Sequence, residues 1–324
     1  LAMFDNRFNF DVTYYKTNNK NQYFSIAAPL ASGYSSYYIN AGNIENQGFE
    51  ASASYRWDFA KDWSWKTELN MSYNHNKIKE LDSRLADGVQ IGSGSGFRFM
   101  LKEGGSFGDI YGYKLKRAPD GQVVWKDGIT ARTTEFEYVG NAYPAWKAGF
   151  SNEFSYKNFR VSILFDGQWG GIVYSQTHHK MTEHGTLKHT LKYRGNPNFE
   201  VVGEGVMLDE RGQYVPNNVP ISVSKYYADY WRRANVETNS FDASFLKLRE
   251  ARIEYTIPSA GLNKIGIERL TLALYGRNLA MWTKDFPVYD PEVATLNNGT
   301  IVPGSEMGQL PSTRTMGFNL TLKF

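Results

Sequence analysis

The chain has 324 residues, a formal net charge of +3 and no cysteine. Without cysteine there are no disulfides or thiolate metal sites, and no block of basic residues indicates nucleic-acid binding. No apolar run approaches the roughly 18 residues of a transmembrane helix, and no signal peptide is visible at Leu1.

Eight runs with period-two alternation predict β-strands, whereas helical periodicity is almost absent. In the second run Phe49, Ala51 and Ala53 fall on one face, and Glu50 and Arg56 fall on the other. Up to two further strands are expected between Gly96 and Val139. In chain order the runs lie near residues 7–15, 48–57, 63–74, 148–156, 159–169, 240–255, 267–279 and 313–324.

Strand length, loop length and aromatic placement together favour a membrane barrel over a soluble, adhesin-like β domain. Several runs reach about ten residues, enough to cross a bilayer at a tilt. Connections alternate between short turns and long loops, as in outer-membrane barrels. The turns are 58–62 and 157–158, and the loops are 17–42, 78–143, 170–239 and 280–312. Aromatics beside the turns predict an interfacial girdle: Trp57, Phe59, Trp63, Trp65, Phe154, Tyr156 and Phe159.

The polar face predicts a wide, polar lumen. An unpaired charge buried in a dry core would cost roughly several kcal/mol, whereas a water-filled lumen tolerates charged side chains. Eight to ten strands alone would close into a narrow barrel, so the remaining strands are expected upstream of this chain, together with the export signal. The residues predicted to line the lumen are Glu50, Arg56, Lys66, Glu68 and Asn70.

Ordered sequence pieces resemble the SusC/RagA family of outer-membrane nutrient importers. Residues 40–50 (NAGNIENQGFE) are similar to that family's N-x-G-x-[IV]-x-N-x-G-[hydrophobic]-E pattern. Residues 245–249 (FLKLR) and 255–258 (YTIP) resemble its "YLKLR…YTLP" strand. The remaining pieces are 276–279 (GRNL), 282–284 (WTK), 289–293 (YDPEV), 311–315 (PSTRT) and the terminal Phe324. Together they span most of the chain.

The resemblance implies that residues 1–324 are the C-terminal part of a barrel of about 22 strands, in the outer membrane of a Gram-negative, Bacteroidetes-like bacterium. It also implies an N-terminal plug and early strands that are absent from this chain, energy from the TonB complex, and a SusD-like surface lipoprotein as lid. The implied function is active import of oligomeric glycans or peptides, with no cofactor. The alternative is a passive porin-type channel, which upstream sequence would distinguish.

No sequence motif indicates an enzyme, because neither a nucleophile elbow nor a metalloprotease pair occurs. A metal site at His178, His179, His184 and His189 is conceivable, but their spacing matches no familiar motif, and solvated loop histidines are expected instead. Aromatic rings can stack on sugars and peptide side chains. The loop aromatics selected as candidate cargo contacts are Trp169, Tyr174, Trp231 and Trp282, with loop packing as the alternative for each.

Overall fold

The computed structural model describes residues 1–27, 33–34, 36–40, 42–85, 87–94, 96–258, 262, 266–297 and 300–324. Ala41, within the 40–50 motif, therefore lies outside the described residues. The strands in chain order are β1 (Ala2–Met3), β2 (Phe8–Lys20), β3 (Tyr23–Ala27), β4 (Ser36–Asn40), β5 (Asn43–Ala60), β6 (Trp63–Glu80), β7 (Val89–Ser93), β8 (Phe97–Leu101), β9 (Asp109–Gly112), β10 (Val124–Lys126), β11 (Ile129–Thr130), β12 (Glu137–Asn141), β13 (Trp146–Tyr156), β14 (Phe159–Trp169), β15 (Ile172–Ser175), β16 (Glu200–Val202), β17 (Val206–Leu208), β18 (Tyr214–Pro216), β19 (Pro220–Ser222), β20 (Ser240–Asp242), β21 (Phe245–Ile257), β22 (Arg269–Thr283), β23 (Thr295–Asn297), β24 (Thr300–Val302), β25 (Ser305–Glu306) and β26 (Thr315–Lys323).

Helical structure is sparse. The α-helices are α1 (Gln176–Glu183) and α2 (Val223–Tyr230). Short 3-10 helices lie at Ser83–Leu85, Lys188–Leu191, Pro197–Phe199 and Glu237–Asn239. Within the described residues, no helix is both long and apolar enough to cross a membrane.

Nine strands form one antiparallel wall in the order β1-β2-β5-β6-β13-β14-β21-β22-β26. The eight predicted runs are confirmed as its long strands, and β1 adds two residues at one edge. One boundary differs, because the start of the run 240–255 forms β20, which pairs with β15 outside the wall. In the described residues the wall does not close, since β1 and β26 are its two edges.

The strand register gives the wall one apolar face and one polar face. Phe10, Ala53, Leu69, Phe150 and Phe165 lie side by side across five strands. Three of these side chains, Phe10, Leu69 and Phe150, are at least 40% exposed. An apolar band this continuous marks a surface that contacts lipid.

Aromatic girdles border the apolar band at both ends. Near the short turns, Trp63 stacks on Tyr156 with ring centroids 4.2 Å apart. At the other end of the strands, Trp146 packs on Tyr73 at 4.7 Å. The 11 residues of β14 run from one girdle to the other, a length of roughly 33 Å along the strand. At a tilt of about 40° the strand spans about 25 Å of membrane, the height of a barrel's apolar band.

The described residues of 81–145 and 170–244 pack together at the long-loop end of the wall and are here called the loop body. Its cores contain Phe97, Ile110, Trp125, Tyr174 and Val236, each at most 1% exposed. The expectation of two further wall strands between 96 and 139 is wrong. The strands there, β8 to β12, are two to five residues long and belong to two smaller sheets outside the wall. They are too short to cross a bilayer, and their side chains pack into the loop body.

Candidate functional site

The five residues predicted to line the lumen share the polar face of β5 and β6. Arg56 lies opposite Lys66 in the register, while Glu50 lies opposite Ser72. Lys66 Nζ is 2.5 Å from Glu68 Oε1, and Asn70 lies opposite Ser52. The structure therefore brings the five together on the face opposite the apolar band. Their contact with a water-filled lumen stays a prediction.

A cluster of charged residues ties the loop 284–314 to this polar face. Arg249 on β21 bonds Asp166 on β14 and lies 3.1 Å from Glu292 in the loop. Lys247, two residues earlier on the same face, contacts Asp290 and Glu292. Burial opposes ionisation of Asp290, but hydrogen bonds from Lys247 and the Glu292 backbone outweigh it and lower the pKa of this carboxyl. The 245–249 and 289–293 motifs thus meet in space.

A bulge in β22 explains a third motif, residues 276–279. The register shifts between Leu248 and Glu250, where Asn278 adopts a positive φ of 51°. Asparagine tolerates this left-handed conformation better than most residues. Its side chain accepts from Arg249 at 3.2 Å and donates to the Thr313 carbonyl at 3.0 Å. Asn278 therefore connects Arg249 on β21 to Thr313, in the segment that leads into β26.

A cavity of about 410 Å³ lies between the loop-side end of the polar face and the loop body. Strand β6 continues past the aromatic girdle, so Asn74 and Asn76 project from its polar face above the membrane band. The polar and aromatic side chains that line the cavity are amides, a hydroxyl, aromatic rings, the His75 imidazole and a single carboxylate. They include Asn46, Asn74, Asn76, Ser106, Phe107, Asp109, Tyr138, Asn141 and Tyr143.

Three of these polar side chains hold the cavity in shape. Asn76 Oδ1 accepts from the Phe107 backbone N–H at 2.6 Å. Asp109 accepts from the Ser106 N–H and from the Asn141 amide, both at 2.8 Å. The Asn141 oxygen in turn accepts from the Tyr143 N–H at 2.8 Å. The two segments that carry Phe107 and Tyr143 are therefore fixed to β6 and to each other.

The cavity's rings are placed by backbone packing. Phe107 and Tyr143 stack with centroids 6.4 Å apart and an interplanar angle of 22°. Gly108 has φ 93°, and a Cβ there would lie 2.4 Å from the Tyr143 ring, so only glycine allows this contact. Burial raises the pKa of Tyr143, and burial together with the charge of Asp109 raises that of Tyr138. Both phenols therefore remain protonated donors at physiological pH.

Of the four candidate cargo aromatics, Trp169 and Trp282 are exposed and Tyr174 is not. Contact with cargo stays a prediction for all four. Trp169 and Trp282 end wall strands and fall on the apolar face, so they extend the loop-side girdle. Tyr174 is fully buried in the loop body, and Trp231 packs against Tyr230 at 4.4 Å. None of the four lines the cavity. One sequence signal could have indicated the cavity. The polar positions of β6 continue to Asn74 and Asn76, beyond Tyr73, the last girdle aromatic of that strand.

The expectation of solvated loop histidines is wrong for two of the four residues. His178 and His179 lie on α1 and are only 3% and 5% exposed. His178 Nδ1 lies 3.0 Å from Asn239 Oδ1, and its ring stacks on His189. Burial lowers the pKa of His178 to about 4. In the described residues no group of three or more His, Cys, Asp or Glu side chains could hold a metal ion.

Comparison with known proteins finds a family model and several relatives, all of them outer-membrane proteins or TonB-dependent receptors by name. A family model described as the outer membrane protein beta-barrel family matches residues 2–122. TonB-dependent receptor P3 of Formosa agariphila is 27% identical over 354 residues, covering 100% of this chain and 33% of that protein. TonB-dependent receptor SusC of Bacteroides thetaiotaomicron is 24% identical over 164 residues, covering 46% of this chain and 16% of that protein.

Solved structures show the same fold. The RagAB peptide transporter has a TM-score of 0.70 and 20% identity, covering 100% of this chain and 34% of that one. The RagAB peptide importer in the "closed-closed" state gives 0.69 and 22%, with the same coverage.

These findings confirm the resemblance to SusC/RagA-like TonB-dependent receptors and the outer-membrane β-barrel fold. The chain spans about a third of the length of the curated relatives P3 and P26. The relatives and structures found are named as receptors or transporters, which agrees with the expectation that the chain does no covalent chemistry.

Proposed function

We propose that this chain forms part of the barrel of a TonB-dependent importer that moves oligomeric glycans or peptides across the outer membrane. One observation carries the proposal: the polar face of a lipid-facing wall leads directly to a shaped cavity beneath the loop body. A wall with these two faces encloses an aqueous path. The cavity, fixed by Asn76, Asp109 and Asn141, provides a place where cargo can bind at the mouth of that path.

In this proposal the other parts of the transporter are supplied by residues and proteins outside this chain. Open strand edges are not tolerated in hydrocarbon, so further strands complete the wall beside β1 and β26. An N-terminal plug and early strands, both outside residues 1–324, belong to the transporter in this proposal. A SusD-like lipoprotein acts as the lid, and the TonB complex supplies energy through an N-terminal segment.

The first test identifies the partner and the cargo. The full-length transporter is purified from its native membrane in mild detergent, and co-purified proteins and oligomers are identified by mass spectrometry. A SusD-like lipoprotein and a bound oligomer are expected. If no lipoprotein accompanies the transporter, the lidded-importer mechanism is wrong.

The second test separates active import from a passive porin-type channel. Uptake of the identified oligomer is measured in cells with and without a functional TonB complex, and the purified protein is inserted in planar bilayers. Active import predicts that cells take up the oligomer only when TonB is functional. It also predicts that the purified protein conducts no steady current in the bilayer. TonB-independent uptake with steady open conductance would establish the porin instead.

A further inference from the structure

We infer that the cavity between β6 and the loop body is a binding subsite for one unit of an uncharged glycan. This inference deepens the proposed function, because passage of the bound glycan through the barrel rests on that function. Binding at the cavity itself follows from its own groups. The ring pair, the unpaired amide donors and the charge of the lining carry the inference.

The ring pair provides an apolar platform of the right kind. Phe107 is 38% exposed and Tyr143 is 46% exposed, although both backbones are fixed by hydrogen bonds to Asn76 and Asn141. A sugar ring has an apolar C–H face that packs against an aromatic ring, while its hydroxyls remain free at the edge. Because the rings are already placed, little conformational freedom is lost when a ligand packs on them.

Two amide groups have donors left over for hydroxyl oxygens. The Asn46 oxygen accepts from Asn76 at 2.8 Å, and the Asn74 oxygen accepts from the Tyr15 hydroxyl at 2.9 Å. These bonds fix both amides with Nδ2 unpaired, since neither nitrogen donates to any residue that the structure describes. Asp109 has further lone pairs that can accept from a hydroxyl. The cavity therefore offers both donors and acceptors next to its rings.

The charges select against anionic cargo. Asp109 is the single carboxylate in the lining, and none of the lining residues is Lys or Arg. On the polar face below, a second cavity is lined by Asp11, Glu50 and Asp166 with Lys147 as its one cation. Asp166 is paired with Arg249, which leaves two carboxylates against one lysine. In the first cavity a sulfated or uronic-acid glycan, or a peptide carboxylate, would meet no lysine or arginine, since the one basic side chain in the lining is the His75 imidazole. Such an anion would lose hydration there without a guanidinium or ammonium group to replace it.

The experiment uses the full-length transporter with its co-purified partner, applied to an array of neutral oligosaccharides, their sulfated and uronic-acid counterparts, and synthetic peptides. We expect binding to at least one neutral glycan. The double variant Phe107→Ala, Tyr143→Ala removes the whole apolar platform and should weaken binding by about tenfold or more, which is about 1.4 kcal/mol. The matched control Tyr214→Ala removes a ring of similar exposure from the loop body, outside the cavity, and should leave affinity unchanged.

A second variant guards against misfolding. Asn74→Asp keeps the size of the side chain and the acceptor for Tyr15, but it removes the free donor and adds a negative charge. It should weaken neutral-glycan binding with the Tyr15 contact intact. The inference is overturned if the array binds only anionic glycans or peptides, if it binds nothing, or if the ring and Asn74 variants bind as tightly as the parent.

The outcome is separable from the proposed function. If uptake needs TonB but the cavity variants bind and import normally, the subsite is wrong and the importer stands. If the cavity binds neutral glycan but uptake proceeds without TonB, the importer is wrong and the subsite stands.

Discussion

Lys247 Nζ lies 2.7 Å from Asp290 Oδ2, and both side chains are almost fully buried, at 3% and 2% exposed. The lysine belongs to a wall strand and the aspartate to the loop 43 residues later. A buried ion pair is weak support for stability by itself, but breaking it leaves an uncompensated charge. This pair is therefore one of the contacts that hold the loop 284–314 on the wall, beside the pair between Arg249 and Glu292.

Replacement of Lys247 by Met should release that loop. The change leaves Asp290 buried without its cation, at a cost of about 3–5 kcal/mol. Hydrogen exchange of residues 286–294 in the purified transporter measures the loss. The double replacement Lys247→Met, Asp290→Leu removes both charges and should cost much less. Lys284→Ala, which breaks an exposed pair with Asp242, is the control and should cause no local opening. Equal exchange in parent and Lys247→Met would contradict the role of the pair.

An arginine introduced at Val12 or Thr13 should distinguish the two faces of the wall. Val12 lies beside Ala51 on the apolar face, and Thr13 lies beside Glu50 on the polar face. Val12→Arg puts a charge on the lipid-facing surface, two residues from Tyr14, and should cost about 1–4 kcal/mol, the range between interface and midplane. Thr13→Arg should cost little. The measurement is the urea midpoint for folding of the full-length barrel in lipid vesicles. If Thr13→Arg were the more damaging change, the assignment of the faces would be reversed.

The wall could be predicted from sequence because its signal is local. Residues such as Phe49 and Glu50 alternate along one strand, and period two needs no knowledge of distant partners. The same alternation gave the correct faces for the whole sheet. It also missed where β22 ends, because Trp282 continues the strand into a stretch that looked like loop.

The loop body and the cavity could not be predicted in this way. Tyr174 looks like an exposed loop ring in sequence, but Phe97 and Val236 from distant segments cover it. The cavity combines Asn46 and Asn74 with residues of two loop segments that share no spacing pattern. Such groups come together only through tertiary contacts, which a single sequence does not encode locally.

Replacement of Gly48 by Ala should damage both the wall and the cavity. A Cβ at this position would lie 2.0 Å from the Tyr73 carbonyl and 2.7 Å from the Tyr15 hydroxyl oxygen. Tyr15 must then move, and it fixes the Asn74 oxygen. We expect a loss of about 1–3 kcal/mol or more from overpacking, seen as a lower midpoint in heat-modifiable gel mobility. Gly195→Ala is the control, because a Cβ at Gly195 would meet no atom within 4 Å. This variant should behave like the parent. An unchanged Gly48→Ala barrel would show that the strands can separate locally.

Acidification should open the loop body through His178. Burial lowers the pKa of His178 from 6.5 to about 4. The unfolded state therefore binds a proton below pH 6.5 while the folded state does not, and stability falls as pH drops from 6.5 to about 4. The loss is on the order of 3 kcal/mol across that window. Hydrogen exchange of α1 at neutral and acidic pH should show it.

A pair of variants assigns this pH response to one ring. His178→Gln keeps a donor toward Asn239 but does not titrate, so it should reduce the acid sensitivity of α1. His184 lies at the exposed end of the same helix, and His184→Gln should leave the sensitivity as it is. His179 and His189, whose pKa values are also lowered by burial, supply the remaining response. If His178→Gln and the parent open equally as pH falls, the buried ring is not what destabilises the helix.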